Sequence, residues 1–385
     1  MKLLQIGSTW LSYHFSGLER YYAELVSRLP SLGTEVTGLV YELKDSPKIV
    51  GLNLISFGTQ EKNVVRQYFD QRRLITNYLN CDIDMIVSHC TPSLFPSLQH
   101  LGRKPLICHF HGPRYLERTV EGAHPFSVQL SKYIEEKVYA RTDHAVTLSQ
   151  YMKRVLVETY GFAEKKISVV PGGVNVDHFK QTISRQEARR KLGLAIDRPL
   201  ILAVRRLERR MGLQNLIEAI HEVARKYPDV LLLIAGKGAL REELDEQIRS
   251  TDLTGHVRTV GAVSEPDLPL LYRAADFSIV PSTAYEGFGL ILVESLASGT
   301  PVLGTPVGAI PEVLAPLDKS LLLEGVLPGH LADGICEALS GRRKLPSMTE
   351  CEMYAVDRFA WPVVVSSINK VYYDVLGMVG GNAAA

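Results

Sequence analysis

The stretch FSIVPSTAYEGFGLILVESLASGTPVLG, Phe277 to Gly304, holds a fold in miniature. A short apolar and β-branched run, FSIVPS, ends in a glycine-containing loop. Leu290 to Ser298 then reads as a helix, stopped by Gly299 ahead of the strand that Pro301 opens. Strand, loop, helix and strand in that order make a parallel βαβ unit. Within it Glu286 and Glu294 stand eight residues apart in surroundings that are otherwise glycine, small or apolar. A buried carboxylate is costly unless something pairs with it, so these two require partners or a ligand.

The same alternation extends in both directions. In the first half KLLQIGS, EVTGLVY, DMIVSH, PLICHFHG, HAVTLS and ISVVPGG read as strands, separated by amphipathic patterns such as LERYYAELVSRL and FSVQLSKYIEEKVYAR. The series restarts with PLILAVRRL, VLLLIAGKG, HVRTVGAV, FSIVPS, TPVLGT and SLLLEG, with helices near 213–226, 239–250, 266–275 and 290–298. The fold class is α/β: two Rossmann-like parallel-sheet domains in tandem. The polar stretch VNVDHFKQTISRQEARRKLGLAIDRP carries a short helix and no strand pattern, which puts the first domain at 1–178 and the second at 179–359. FAWPVVVSSINKVYYDVL predicts a final amphipathic helix over 360–379, leaving 380–385 as a flexible tail. Ligands of open α/β sheets collect outside the carboxyl ends of the strands, so two such domains facing each other line one central cleft.

A length of 385 residues suits two domains, and 46% hydrophobic with 22% charged residues suits a soluble globular chain. A formal net charge of +1 gives no excess for binding nucleic acid, although a mildly basic first half is compatible with peripheral contact with an anionic membrane. The five cysteines form no CxxC pair and are odd in number, which points to reduced thiols in the cytoplasm. No run reaches the roughly 18 apolar residues of a membrane span.

Glu286, Gly287, Phe288 and Gly289 form a strand-end loop whose amides, with the helix start at Leu290, offer an anion site. Glu286 at the loop and Glu294 deeper along the helix can reach one ligand. In LAVRRLERRMG the strand ends at Arg205 and Arg206, with Arg209 and Arg210 close behind. Ser16 and Gly17 lie ahead of a helix that begins near Leu18, and its start offers another anion site. His111 in CHFHG sits at a strand end, while His109 alternates with it and is expected to face elsewhere. GKGALR at 236–241 lacks the third glycine of a dinucleotide fingerprint. DID at 82–84 spells a metal-binding DxD but leads into the strand MIVSH. No HExxH, Cys/His cluster or GxSxG element occurs.

The segment from Glu286 to Glu294 resembles the E-x7-E signature of family 4 glycosyltransferases, a retaining family with the GT-B fold. The resemblance continues in order along most of the chain. GSTWLSYHFSGLERYYAELVSRLPSLGTEVTGLVY is similar to the family's first strand, glycine loop, helix and second strand. ISVVPGGVNVDHF looks like its inter-domain segment, AVRRLERRMGL like its phosphate-binding strand end, and AGKGALREEL like its next loop. FAWPVVVSSINKVY looks like the terminal helix that returns to the first domain.

The resemblance implies a first domain for the acceptor and a second for a nucleotide-diphosphate sugar. By position it places Glu286 beside the donor sugar at the reacting carbon and Glu294 on the ribose hydroxyls. The amides of Phe288, Gly289 and Leu290 would bind sugar hydroxyls and a phosphate. Arg206 matches the family's arginine, but the lysine expected five residues later is Met211, so Arg210 is expected to substitute from the adjacent position. Gly17 would start the helix facing the diphosphate, although this chain has Ser16–Gly17 where the family often has two glycines. His111 matches a histidine near the donor sugar. The activity implied is retaining, metal-independent transfer, with no cofactor beyond the nucleotide-sugar co-substrate. The acceptor would be a glycan, a lipid-linked sugar or a small molecule, met in the cytoplasm or at the inner face of a membrane. Two rival readings are a sugar-nucleotide epimerase and a non-catalytic nucleotide-sugar binding protein. The set Glu286, Glu294, Arg206 and His111 favours the transferase.

Overall fold

The computed structural model describes residues 1–10, 17–43, 46–58 and 64–383. They pack as two compact units, Met1–Gly172 together with the terminal helix from Trp361, and Gly173–Ala360. The first unit is built on β1 (Lys2–Thr9), β2 (Glu35–Tyr41), β3 (Leu52–Ser56), β4 (Met85–Ser88), β5 (Leu106–Phe110), β6 (His144–Thr147) and β7 (Ile167–Val169). These form one seven-stranded parallel sheet in the order β3-β2-β1-β4-β5-β6-β7. Every residue of β4 and β5 is buried, as expected for central parallel strands covered on both faces. That is why MIVS and LICHF read as short unbroken runs. β3 lies at the sheet edge, buries only Leu54 and is not among the strands expected from the sequence.

The terminal helix, Trp361–Ala383, takes in residues 380–383 of the expected tail. It buries Trp361, Val364, Val365, Ile368 and Tyr372. The Arg28 guanidinium lies 5.6 Å over the Trp361 ring, and Thr34 donates to Asn369 Oδ1 at 3.1 Å. Helix and sheet are thus joined by an apolar stripe with polar contacts at its margin.

The second unit carries β8 (Leu200–Val204), β9 (Leu231–Ala235), β10 (Val257–Gly261), β11 (Phe277–Val280) and β12 (Val302–Gly304), all parallel, in the order β10-β9-β8-β11-β12. The helix Leu213–Lys226 shows how the sequence places an element: Leu213, Leu216, Ile217, Ile220 and Val223 recur at helical spacing and face the core. SLLLEG is not a further strand. Asp318 caps a 3-10 turn, Lys319–Leu321, by accepting the Ser320 N–H, and only Leu322 bridges to Gly304. A short leucine run looks the same whether it is buried as strand or as turn.

Each sheet reverses its strand order at one place, between β1 and β4 and between β8 and β11. Such a switch opens a crevice at the carboxyl ends, where α/β proteins hold ligands. The Glu286 loop follows β11 and the arginines follow β8, while Gly17 follows β1 and His111 follows β5. Among the described residues no helix is long and apolar enough to cross a membrane, and all five cysteines are free thiols.

Candidate active site

At the β8/β11 switch point the chain turns a cation inward. Arg205, directly after β8, is buried, and its Nη2 donates to Glu286 Oε2 at 2.7 Å. The same nitrogen donates to Ser282 Oγ and lies 2.7 Å from Met211 Sδ. Ser282 Oγ in turn donates to Glu286 Oε2 at 2.8 Å. Burial alone would push the Glu286 pKa up. The Arg205 charge, hydrogen bonds from Ser282 and Arg205, and the nearby Arg210 charge outweigh it, so the carboxyl is held below its ordinary value and stays ionised.

The backbone around Glu286 is fixed just as closely. Tyr285 adopts φ 48°, a left-handed conformation that costs a non-glycine residue about 1–3 kcal/mol. Arg210, itself buried, donates from Nη1 to the Tyr285 carbonyl at 3.2 Å, and its own carbonyl accepts the Thr283 N–H at 2.9 Å. Ala309 N–H donates to Glu286 O at 2.9 Å. That approach requires glycine at 308, where φ is +61° and a Cβ would stand 2.2 Å from Glu286 O. Gly236 is used in the same way, since a Cβ there would lie 1.8 Å from Arg205 O. The glycines of GKGALR therefore serve close packing against the end of β8.

Gly289 precedes the helix Leu290–Ala297, whose start has no side-chain cap. Glu294, in the second turn of that helix, is buried and accepts from Tyr272 Oη at 3.2 Å. Phe288 is buried edge-on to Phe359, with ring centroids 5.6 Å apart. Arg206 takes a different course: it is exposed and pairs with Glu208 at 2.8 Å. The structure thus gathers Glu286, Arg210 and the Phe288–Leu290 loop with Arg205, whereas the family resemblance points to its neighbour Arg206. β8 is buried on both faces, so alternation gives no sign of which arginine turns in. The available signal was Met211: an apolar residue where a cation is expected leaves room for one from elsewhere.

In the first unit Gly17 opens the helix Gly17–Arg28; Ser16 lies outside the described residues. His111, half-buried, has its Nε2 3.3 Å from His89 Nδ1, and His89 Nε2 lies 2.9 Å from Gln5 Oε1. His109 does not face elsewhere: its ring stacks 6.2 Å from that of His111 at 20°. β5 ends at Phe110, so strand alternation no longer separates the two residues. His109 Nδ1 and Nε2 meet the hydroxyls of Tyr21 and Tyr372 at 3.1 and 2.7 Å. A histidine cluster thus forms that no sequence spacing announced, because His89 joins it from another strand. Burial lowers the pKa of all three rings, that of His111 to about 3, so they are neutral. The DID carboxylates are engaged elsewhere, with Asp82 on Lys2 Nζ and Asp84 on the Lys2 N–H, each at 2.7 Å.

Two family descriptions match the chain: Glycosyltransferase Family 4 over residues 15–178 and Glycosyl transferases group 1 over residues 184–355. The chain is 24% identical over 389 residues to a D-inositol 3-phosphate glycosyltransferase of Corynebacterium aurimucosum, covering 94% of this chain and 92% of that one. It is 28% identical over 302 residues to a phosphatidyl-myo-inositol mannosyltransferase of Mycobacterium tuberculosis, covering 77% and 75%. Among solved structures, HepE of Anabaena in complex with UDP and glucose superposes with a TM-score of 0.80 at 18% identity, over 97% of this chain and all of that one.

Replacing Arg205 by Ala leaves Glu286 buried without its main partner, a loss of about 3–5 kcal/mol. Because the Glu286 pKa is lowered in the fold, the pair's contribution is present above the ordinary carboxylate pKa and lost as pH falls through the lowered value. Thermal unfolding should therefore show a lower Tm for Arg205→Ala at neutral pH and a smaller difference in acid. Adding Met211→Lys should recover part of the loss. Equal Tm values at neutral pH would show that the pair does not hold the loop.

Proposed function

The chain belongs to the family 4 glycosyltransferases of GT-B fold, which take a sugar from a nucleotide donor, and we propose that it transfers the sugar with retention and without a metal ion. The observation that carries this reading is the buried Arg205–Glu286 pair at the β8/β11 switch point, beside an uncapped helix start. A nucleoside diphosphate leaves with growing negative charge. The amides from Phe288 to Leu290, the helix start and the buried arginines would meet that charge, each such group contributing about 3 kcal/mol in the transition state. Arg205, whose Nη2 lies 2.7 Å from Met211 Sδ, would take the place of the absent lysine that Arg210 was expected to fill, and Arg210 would support the loop and add its charge. In this reading the loop amides and the Arg210 charge, beside the Arg205–Glu286 pair, do the work that a divalent cation would do.

Glu294 would accept from the ribose hydroxyls. Glu286, kept ionised by Arg205, would position the sugar and stabilise an oxocarbenium-like centre. A leaving phosphate oxygen would take the proton of the incoming hydroxyl on the same face, which preserves the anomeric configuration. In this reading the second unit, 179–359, holds the donor and the first holds the acceptor, with Gly17 at a helix start and neutral His111 as the first unit's catalytic group. UDP-glucose is the first donor to try, given the UDP and glucose bound by HepE. A polyol or sugar hydroxyl on a small molecule, glycan or lipid is the acceptor class, in keeping with the names of the two inositol-linked relatives. Incubated with UDP-glucose and an acceptor panel, the protein should yield a product whose anomeric centre, read by NMR, matches the donor, and Glu286→Ala should lose about 100-fold or more in turnover. An inverted product would overturn retention, and near-normal transfer by Glu286→Ala would remove that residue from the site.

A membrane-borne acceptor gains support from the helix Pro125–Arg141. It exposes Phe126, Leu130 and Tyr133, with Lys137 Nζ 5.5 Å over the Tyr133 ring, while Lys132 pairs with Glu136 at 3.8 Å. Apolar anchors beside a lysine suit peripheral contact with anionic lipid in the cytoplasm. The protein should co-sediment with phosphatidylglycerol vesicles and not with phosphatidylcholine vesicles, and Phe126→Asp with Leu130→Asp should release it. Equal recovery from both vesicle types would count against this surface.

A further inference from the structure

The neutral cluster at the β1/β4 switch point is more elaborate than a packed core requires. His89 and His109 stack at 4.2 Å and 22°, His111 lies beside His89 with its ring tilted by 28° and its centroid 5.6 Å away, and Tyr21 stands edge-on to His111 at 5.0 Å. One ligand nitrogen from each of the three rings lies within 4.8 Å of the others, near enough to raise a metal ion but wider than the roughly 3.4 Å between ligand nitrogens on tetrahedral zinc. The orientation does not favour one either. Imidazole lone pairs lie in the ring plane, so the stacked rings of His89 and His109 aim theirs side by side and not at one point. Both nitrogens of His109 already meet tyrosine hydroxyls, and both of His89 are taken by Gln5 and His111.

What remains is a directed hydrogen-bond chain. A neutral imidazole has one N–H and one lone pair. Gln5 presents its Oε1, which can only accept, to His89 Nε2, so His89 carries its proton there and offers Nδ1 as acceptor. The partner of that lone pair is His111 Nε2, which must then be the protonated nitrogen, leaving His111 Nδ1 bare. The turned Gln5 amide would reverse the chain and put the His111 proton on Nδ1. Resting on the reading of His111 as the first unit's catalytic group, we propose that His89, backed by Gln5, is a positioning residue. It fixes the ring plane and tautomer of His111 so that Nδ1 presents a lone pair to a substrate hydroxyl. His109, locked between Tyr21 and Tyr372, forms the floor on which His89 is stacked. The terminal helix, through Tyr372, thus helps to set a side chain that it does not itself bond.

The test is made on the full chain, labelled with 15N in its 11 histidines. Long-range proton–nitrogen spectra should show His111 as the Nε2–H tautomer. In His89→Leu this pattern should give way to an exchanging mixture, and kcat with UDP-glucose as donor should fall about 100-fold with KM little changed. His89→Asn, whose amide stands near the former Nδ1, should recover most of both. His89→Gln, whose longer arm reaches toward Gln5 instead, should not. An Nδ1–H tautomer in the wild type, an unchanged His111 pattern in His89→Leu, or stoichiometric zinc in the purified protein would overturn the proposal. If instead His111→Ala turns over UDP-glucose like wild type, the catalytic reading of His111 fails, and the tautomer spectra show that failure to be separate.

Discussion

Glu286 is a carboxylate removed from water, and the site in the second unit is organised around keeping it charged there. Desolvating such an ion costs several kcal/mol, and Arg205 with Ser282 supplies the compensation. The two ends of this pair come from strands adjacent in the sheet and far apart in sequence, β8 and β11. Their attraction therefore ties together the two loops that border the switch point. The left-handed Tyr285, the Arg210 bond to its carbonyl and the close approach of Gly308 all act on the same few atoms. A position set from this many directions suits the positioning role proposed for Glu286.

The two units apply one topology to opposite electrostatic ends. Both sheets reverse order beside their first strand and gather side chains at the carboxyl ends. In the second unit those side chains are ionised and paired. In the first they are imidazoles that burial keeps neutral, linked by hydrogen bonds in place of charge. A cavity at the opposite end of the second sheet, lined by Arg185, Arg189 and Asp276, has its arginines paired with that aspartate and lies away from Glu286. It reads as a structural seam.

Much of this was legible in the sequence, for identifiable reasons. Central parallel strands are buried on both faces and write themselves as unbroken apolar runs, so all but β3 could be read. β3 was missed although β7 and β10 bury as little and were read, and SLLLEG leaves the trace of a strand while forming a turn. The glutamates stood out because a charge in an apolar helix has to be explained. The arginines were harder: between Arg205 and Arg206 only three-dimensional direction decides, and it gave the buried place to Arg205 and the surface to Arg206. His89 was invisible for a further reason. Its partners Gln5 and His111 lie 84 and 22 residues away, and no local spacing encodes a contact between strands.

The central claim is that a nucleotide diphosphate sits on the loop that Glu286 and Arg205 hold. Hydrogen–deuterium exchange of the full chain with and without UDP tests it most directly. The account predicts slowed exchange at the amides from Phe288 to Leu290 and across 205–212. UDP binding with unchanged exchange in both segments, and protection elsewhere, would contradict it.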